Sequence, residues 1–236
     1  ANEALLSLEE ALSVYQKHRD QEKYQQATLY LADAYLVSGD MQKADSLLQV
    51  FSDELDMESE NFSLRGMCAY LQYRLLQQRN PQKALQSLED AYQFFEEADT
   101  LNDRYHHAVV LEAVAYEYQR TREFGKARDA YLKVHQLYEQ RQLLDSIQWA
   151  TVLNNLGMLS TKSQPGEAHI WLKKSYEISS KHLHPDQDRL WAAIDNYAMS
   201  LYTRGQIEQA LLVYRENLQK QTNTERLGKA YAAAMN

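Results

Sequence analysis

The sequence predicts an all-α fold, a solenoid of about twelve antiparallel helices. Small residues recur every 33 to 43 positions, and bulky apolar residues surround them at helical spacing. The 236 residues contain only 7 Gly and 3 Pro that could interrupt helices. The clearest unit is YAMSLYTRGQIEQALLVY, residues 197–214, in which Ala198 and Ala210 lie 12 residues apart and Gly205 separates two helical runs. Each unit therefore reads as a helix, a turn and a second helix.

Alanines in the second helix of each pair set the period, with separations of 33, 40, 43, 41 and 42 residues: Ala11, Ala44, Ala84, Ala127, Ala168 and Ala210. Twelve residues earlier, the first helix should carry a small residue, because close helix packing at about 8–10 Å leaves no room for bulk. Ala32, Ala115 and Ala198 fit, whereas Gly157 lies 11 residues before its alanine and Gln72 breaks the rule. Large residues follow four positions after the alanines: Leu48, Leu88, Tyr131, Leu172 and Tyr214.

This pattern resembles the tetratricopeptide repeat (TPR), and the longer intervals resemble the variant of about 42 residues in kinesin light chains and bacterial peptide-sensing regulators. The resemblance implies one right-handed superhelical domain over residues 1–236. It would contain five helix pairs and one further helix at each end.

In chain order, the pattern predicts an unpaired second helix over residues 3–19, then five helix pairs, and then a final helical run over 225–236. The five pairs are 23–38 with 41–55, then 59–98, 101–140, 144–181 and the pair that contains 197–214. The three prolines, Pro81, Pro165 and Pro185, are expected in the first turns of helices. Gly66 and Gln72 predict a local distortion in the second pair. The apolar residues of the final run, Leu227, Ala230 and Tyr231, predict an edge that is covered by a downstream helix or by self-association.

The charge distribution argues against nucleic acid as the ligand. The chain carries a formal charge of −8, and residues 1–103 contain 8 basic and 19 acidic side chains, a net of −11. Phosphate binding requires a concentrated basic surface, whereas a basic partner segment would be attracted to this acidic half. A chain without an apolar run of about 18 residues is expected to be soluble and not to insert into a membrane. It begins at Ala1 without a signal peptide, so we expect an excised or mature segment, either cytoplasmic or periplasmic.

No catalytic or cofactor motif is present, so we expect a protein that is not an enzyme and binds no cofactor. The glycines form neither a dinucleotide nor a phosphate loop, and no HExxH or CxxC occurs. The histidine clusters, His106-His107 and His182 with His184, each supply two ligands where zinc requires three or four. The single cysteine, Cys68, is expected to be a buried apolar residue.

The resemblance implies that the first helix of each pair lines a concave groove for a bound peptide. Carried over position by position, the groove residues are Tyr73, Glu112, Tyr116, Gln119, Arg120, Asn154, Asn155, Met158, Lys162, Asp195, Asn196, Met199 and Tyr202. Amides can bond both polar groups of a peptide backbone, and methionine adapts to varied shapes. The carboxylate clamp of the family is not reproduced, because no lysine occupies its position. For Tyr116, Met158 and Met199, burial between repeats remains an equal alternative.

Two functions follow from this pattern. The first is a non-enzymatic scaffold that binds a protein or peptide through its concave face. The alternative is the ligand-sensing or regulatory segment of a larger bacterial signalling protein, such as a kinase or transcription regulator, which an output domain beyond Asn236 would favour.

Overall fold

The computed structural model describes residues 2–54, 61–98, 103–140, 146–185 and 187–220, which form eleven α-helices and no strand. The helices are α1 (Asn2–His18), α2 (Gln21–Ser38), α3 (Met41–Glu54), α4 (Phe62–Leu76), α5 (Pro81–Glu97), α6 (Asp103–Arg120), α7 (Phe124–Gln140), α8 (Ile147–Ser160), α9 (Pro165–His182), α10 (Asp188–Thr203) and α11 (Ile207–Leu218). The predicted all-α repeat is confirmed. The final run over 225–236, with its predicted role in self-association, lies outside the described residues.

The helices belong to two compact units, Ala1–Val114 and Ala115–Asn236, and the boundary falls within α6. The single superhelical domain over the whole chain stays a prediction. In each unit, successive helices pair in antiparallel fashion. In the first unit, Gly66 near the start of α4 faces Phe95 near the end of α5. In the second unit, Ser175 of α9 donates a 2.7 Å hydrogen bond from its hydroxyl to the backbone oxygen of Ala150 of α8.

The small residues predicted at the helix contacts are buried, with at most 6% of their surface exposed: Ala32, Ala44, Ala84, Ala115, Ala127, Ala168, Ala198 and Ala210. Burial of the large residues around them supplies the main favourable free energy of such a fold. Leu48 and Leu88 in the first unit, and Tyr131 and Leu172 in the second, are each at most 3% exposed. The period read from the sequence therefore identifies the residues on the packing faces.

The second pair, α4 and α5, departs from the prediction. α4 is an uninterrupted α-helix, so the expected distortion at Gly66 and Gln72 is wrong. Gln72 faces α3, because its Nε2 donates a 3.0 Å hydrogen bond to the hydroxyl of Ser52. The close approach to α5 is at Gly66, where an added Cβ would lie 2.7 Å from Phe95 Cε2. A small residue is therefore present, six positions earlier than the repeat predicts.

Side chains cap several helices and set where they begin. Asp20, Asn61, Asn80 and Ser146 each accept a hydrogen bond from a backbone N–H in the first turn, which otherwise has no partner within the helix. The prolines Pro81 and Pro165 occupy the first turns of α5 and α9, as predicted. Pro185 does not, because α10 begins three residues later; its backbone oxygen instead accepts a 2.7 Å hydrogen bond from Trp191 Nε1.

Two tight turns within pairs use glycine for its conformational freedom. Gly39 follows α2 with a φ of 84°, and Gly205 follows α10 with a φ of 77°. This left-handed conformation is unfavourable for residues with a Cβ. The glycine lets the chain reverse direction within two or three residues, which brings the second helix of the pair back along the first.

Candidate functional site

A hydrogen bond between two amide side chains joins α8 and α10 in the second unit. Asn196 donates from Nδ2 to Oδ1 of Asn154 over 2.9 Å. Both residues are half-buried and come from the first helices of successive pairs, 42 positions apart. Asn154 Nδ2 and Asn196 Oδ1 are not used in this bond. Each is a group that can bond the backbone of a peptide lying across the two helices.

Three exposed apolar side chains follow these amides along the same helices. Met158 lies four residues after Asn154, and Met199 lies three residues after Asn196, spacings that keep side chains on one face of a helix. Tyr202 lies a further three residues along α10. The exposed fractions are 44% for Met158 and 60% for both Met199 and Tyr202. We call these five residues the amide–methionine face.

Two other predicted groove residues hold neighbouring helices together. Asn155 donates from Nδ2 to the hydroxyl of Tyr131 in α7 over 3.0 Å, and Tyr131 is 3% exposed. Asp195 is hydrogen-bonded to the hydroxyl of Tyr214 in α11. Burial is the main cause of a raised pKa for both Asp195 and Tyr214, and the carboxylate further raises the pKa of the tyrosine. Asn155 and Asp195 therefore connect helices as well as reaching the surface.

The remaining predicted residues of the second unit lie toward the ends of first helices. Tyr116 is 56% exposed in the last turns of α6, and Gln119 is half-buried there. Arg120 is exposed and donates from Nε to Glu117 Oε2 over 2.7 Å. Lys162 is exposed in the turn after α8. The exposed Tyr116, Met158 and Met199 are surface residues, which decides the alternative of burial that their sequence positions left open.

In the first unit, Glu112 is half-buried, and Tyr73 is 3% exposed and belongs to the hydrophobic core. The placement of Tyr73 has a simple cause. Tyr73 lies 11 residues before Ala84, as Gly157 lies 11 before Ala168, and both pairs have a four-residue turn, 77–80 and 161–164. Tyr73 therefore occupies the buried position of α4, and the next residue, Arg74, occupies the surface position that was predicted for Tyr73.

Arg74 forms an ion pair with Asp33 of α2, a contact that the sequence reasoning missed. The pair joins the first helices of successive pairs in the first unit, as Asn154 and Asn196 do in the second. The sequence contained a signal for this surface position, because Asp33 directly follows the small residue Ala32, as Met199 directly follows Ala198. Tyr30 and Val37 on the same helix are 39% and 72% exposed.

His106, His107 and Cys68 contact side chains of neighbouring helices. His106 stacks on Phe95 at 6.0 Å, and His107 Nε2 lies 3.3 Å from Glu96 Oε1. The Cys68 thiol is buried, and burial raises its pKa, which disfavours the reactive thiolate. Across the part of the chain that the structure describes, no group of three His, Cys, Asp or Glu residues could hold a metal ion. Among those same residues, no helix has both the length and the apolar character needed to cross a bilayer.

The paired helices, the buried small residues and the period of about 42 positions define a TPR-like helical repeat. No family model and no curated protein sequence matches the chain.

Solved structures share the fold at low sequence identity. BtubC (BKLC) from P. vanneervenii is 18% identical with a TM-score of 0.59, over 98% of this chain and 91% of that chain. Nearly identical TPR-like repeats of a kinesin light chain from Podospora anserina are 20% identical with a TM-score of 0.57, over 85% of this chain and 96% of that chain. PilF of Pseudomonas aeruginosa is 18% identical with a TM-score of 0.60, over 88% of this chain and 81% of that chain.

Proposed function

We propose that this chain is a non-enzymatic scaffold that binds an extended peptide or protein segment across the first helices of its repeats. The observation that carries the proposal is the Asn196–Asn154 hydrogen bond with three exposed apolar side chains beside it. Contiguous patches of exposed apolar side chains are common at binding surfaces. In the described residues, no group of three His, Cys, Asp or Glu side chains that could hold a metal ion accompanies them.

The amide–methionine face fits an extended segment by its chemistry. The amides offer a donor and an acceptor, the pair that one residue of peptide backbone requires. The methionines are flexible and polarisable, and Tyr202 offers a rigid aromatic surface at low entropic cost. We infer that the amides bond the backbone of the segment and that the apolar side chains contact one or two of its side chains.

The test is peptide selection on the purified chain followed by binding measurements. A variant with Arg120→Ala, Asn154→Ala and Asn196→Ala removes polar side chains from three first helices. We expect its affinity for selected peptides to fall at least about tenfold, since truncating a hot-spot side chain costs about 2 kcal/mol or more and about 1.4 kcal/mol is tenfold in affinity. The matched control is Lys173→Ala with Glu177→Ala, which removes two exposed polar side chains of α9, a second helix. Equal affinities for both variants would place binding on another surface.

A further inference from the structure

A buried histidine in the second unit lies between two tryptophans from neighbouring helices. His135 of α7 is 8% exposed, and Trp149 of α8 is 5% exposed. The indole Nε1 of Trp149 donates a 2.9 Å hydrogen bond to Nδ1 of His135. Trp171 of α9 meets the imidazole edge to face, with ring centroids 4.9 Å apart. The imidazole therefore contacts α8 through a polar bond and a ring contact with Trp149, whose centroid is 5.8 Å away, and α9 through the aromatic contact with Trp171.

The hydrogen bond determines the protonation state of the ring. An indole N–H can only donate, so Nδ1 must hold a lone pair, and the proton of the neutral ring is on Nε2. When Nδ1 takes up a proton from solvent, it becomes a donor, and its N–H then faces the indole N–H of Trp149. A 180° flip of the ring does not restore the hydrogen bond, because both nitrogens of an imidazolium are donors. The Trp149 bond and the charged form of His135 exclude one another.

We propose that protonation of His135 opens the contact between α7 and α8, which makes this cluster a pH-sensitive joint within the second unit. The inference does not rest on the proposed binding function. The proton adds to Nδ1, so the indole N–H of Trp149 loses its acceptor. The hydrogen bond that joins α8 to α7 at these two residues is then lost. Deprotonation restores the acceptor and closes the joint.

Two effects on the pKa of His135 oppose each other. Burial lowers the pKa of His135, and Glu139 on the same helix raises it more weakly. Glu139 Oε1 lies 3.5 Å from Nε2, on the side of the ring opposite the Trp149 bond, and its side chain is 55% exposed. From α8 and α9, the groups that face the ring are the uncharged indoles of Trp149 and Trp171. An exposed carboxylate is screened by water, so it does not compensate for the buried charge.

The indole N–H resonances of the full chain test this by nuclear magnetic resonance between about pH 7.5 and about pH 5, the range in which histidine titrates. Trp191 is an internal control, because its indole donates to the backbone oxygen of Pro185, which does not titrate. We expect the Trp149 resonance to shift with a midpoint below the ordinary histidine pKa of about 6.5. Its hydrogen exchange should rise about tenfold relative to Trp191, as expected for the loss of one hydrogen bond.

Two variants complete the test. His135→Gln keeps an acceptor for Trp149 and does not titrate, so its Trp149 resonance should be constant over the same pH range. Glu139→Gln, an exposed change that should leave the fold intact, should lower the midpoint because it removes the charge that favours protonation. A Trp149 resonance that stays constant in the parent chain while the His135 ring titrates would overturn the proposal. So would a midpoint that rises in Glu139→Gln.

Discussion

Gly157 of α8 lies so close to Leu172 of α9 that a Cβ added to the glycine would be 2.5 Å from Cγ of the leucine. The backbone oxygen of Ala168 would be 3.2 Å away. Leu172 is 1% exposed, and side chains in a protein interior are closely packed. The contact therefore requires glycine, and the two helices approach each other one residue away from the position where the repeat predicts a small residue.

Gly157→Ala is expected to destabilise the protein by about 1–3 kcal/mol, the usual cost of overpacking, and Gly157→Leu by more. The measurement is the free energy of unfolding in urea. Gly166→Ala is the matched control, because Gly166 lies in the partner helix α9 and an added Cβ there meets nothing within 4 Å. An unchanged free energy for Gly157→Leu would show that the two helices can separate at little cost.

Gly66 and Phe95 form the corresponding contact in the first unit. An added Cβ at Gly66 would lie 2.7 Å from the ring of Phe95, which is 2% exposed. Gly66→Ala should therefore destabilise the chain, and Phe95→Leu should relieve the clash. In a double-mutant cycle of unfolding free energies, we expect the double variant to lose less than the sum of the single variants, by about 0.5–3 kcal/mol. Strict additivity would mean that the ring moves aside freely.

Asn155 should matter for stability in a way that Asn154 does not. Its hydrogen bond to the buried Tyr131 hydroxyl joins α7 and α8. Asn155→Ala should cost about 1 kcal/mol in urea unfolding, with a similar cost for Tyr131→Phe. The double variant should cost less than the two together, since both changes remove one bond. Asn154→Ala is the control and should cost less, because its partner Asn196 is reached by water.

Acidification should destabilise the second unit through His169 as well. Burial is the main cause of its lowered pKa, and the cations Arg204 and Lys173 lower the pKa further. The unfolded chain then takes up the proton at a higher pH than the folded chain. The stabilising contribution is present above about pH 6.5 and is lost as the pH falls through the folded pKa.

Arg204→Gln should raise the pKa of His169 toward its ordinary value, because it removes a repelling cation. The loss of stability between about pH 7 and about pH 5 should then be smaller than in the parent chain. A titration of the His169 ring by nuclear magnetic resonance measures the first effect, and urea midpoints at the two pH values measure the second. Arg215→Gln, an exposed change in α11, should leave the His169 pKa where it is. If the pKa of His169 is unchanged in Arg204→Gln, Arg204 is not a cause of its lowered value.

The sequence by itself determined the helices and their packing faces. A helix brings residues three and four apart onto one face, so the apolar period identifies that face without any tertiary information. The helix pairs follow from small residues at a regular interval, and Ala32, Ala115 and Ala198 are buried at the positions that this interval predicts, with Gly157 buried one residue away from its predicted position. These properties are local in the chain or repeat along it.

Only the tertiary structure decided what each surface position does. Asn154 and Asn155 are neighbours in sequence, yet one bonds Asn196 at 42 positions and the other bonds Tyr131 at 24 positions. Tyr73 and Arg74 are neighbours as well, yet Tyr73 is 3% exposed in the core and Arg74 forms an ion pair with Asp33 of α2, 41 positions away. The physical reason is that a helix face has a direction but no partner until another helix, distant in sequence, covers it or leaves it in water.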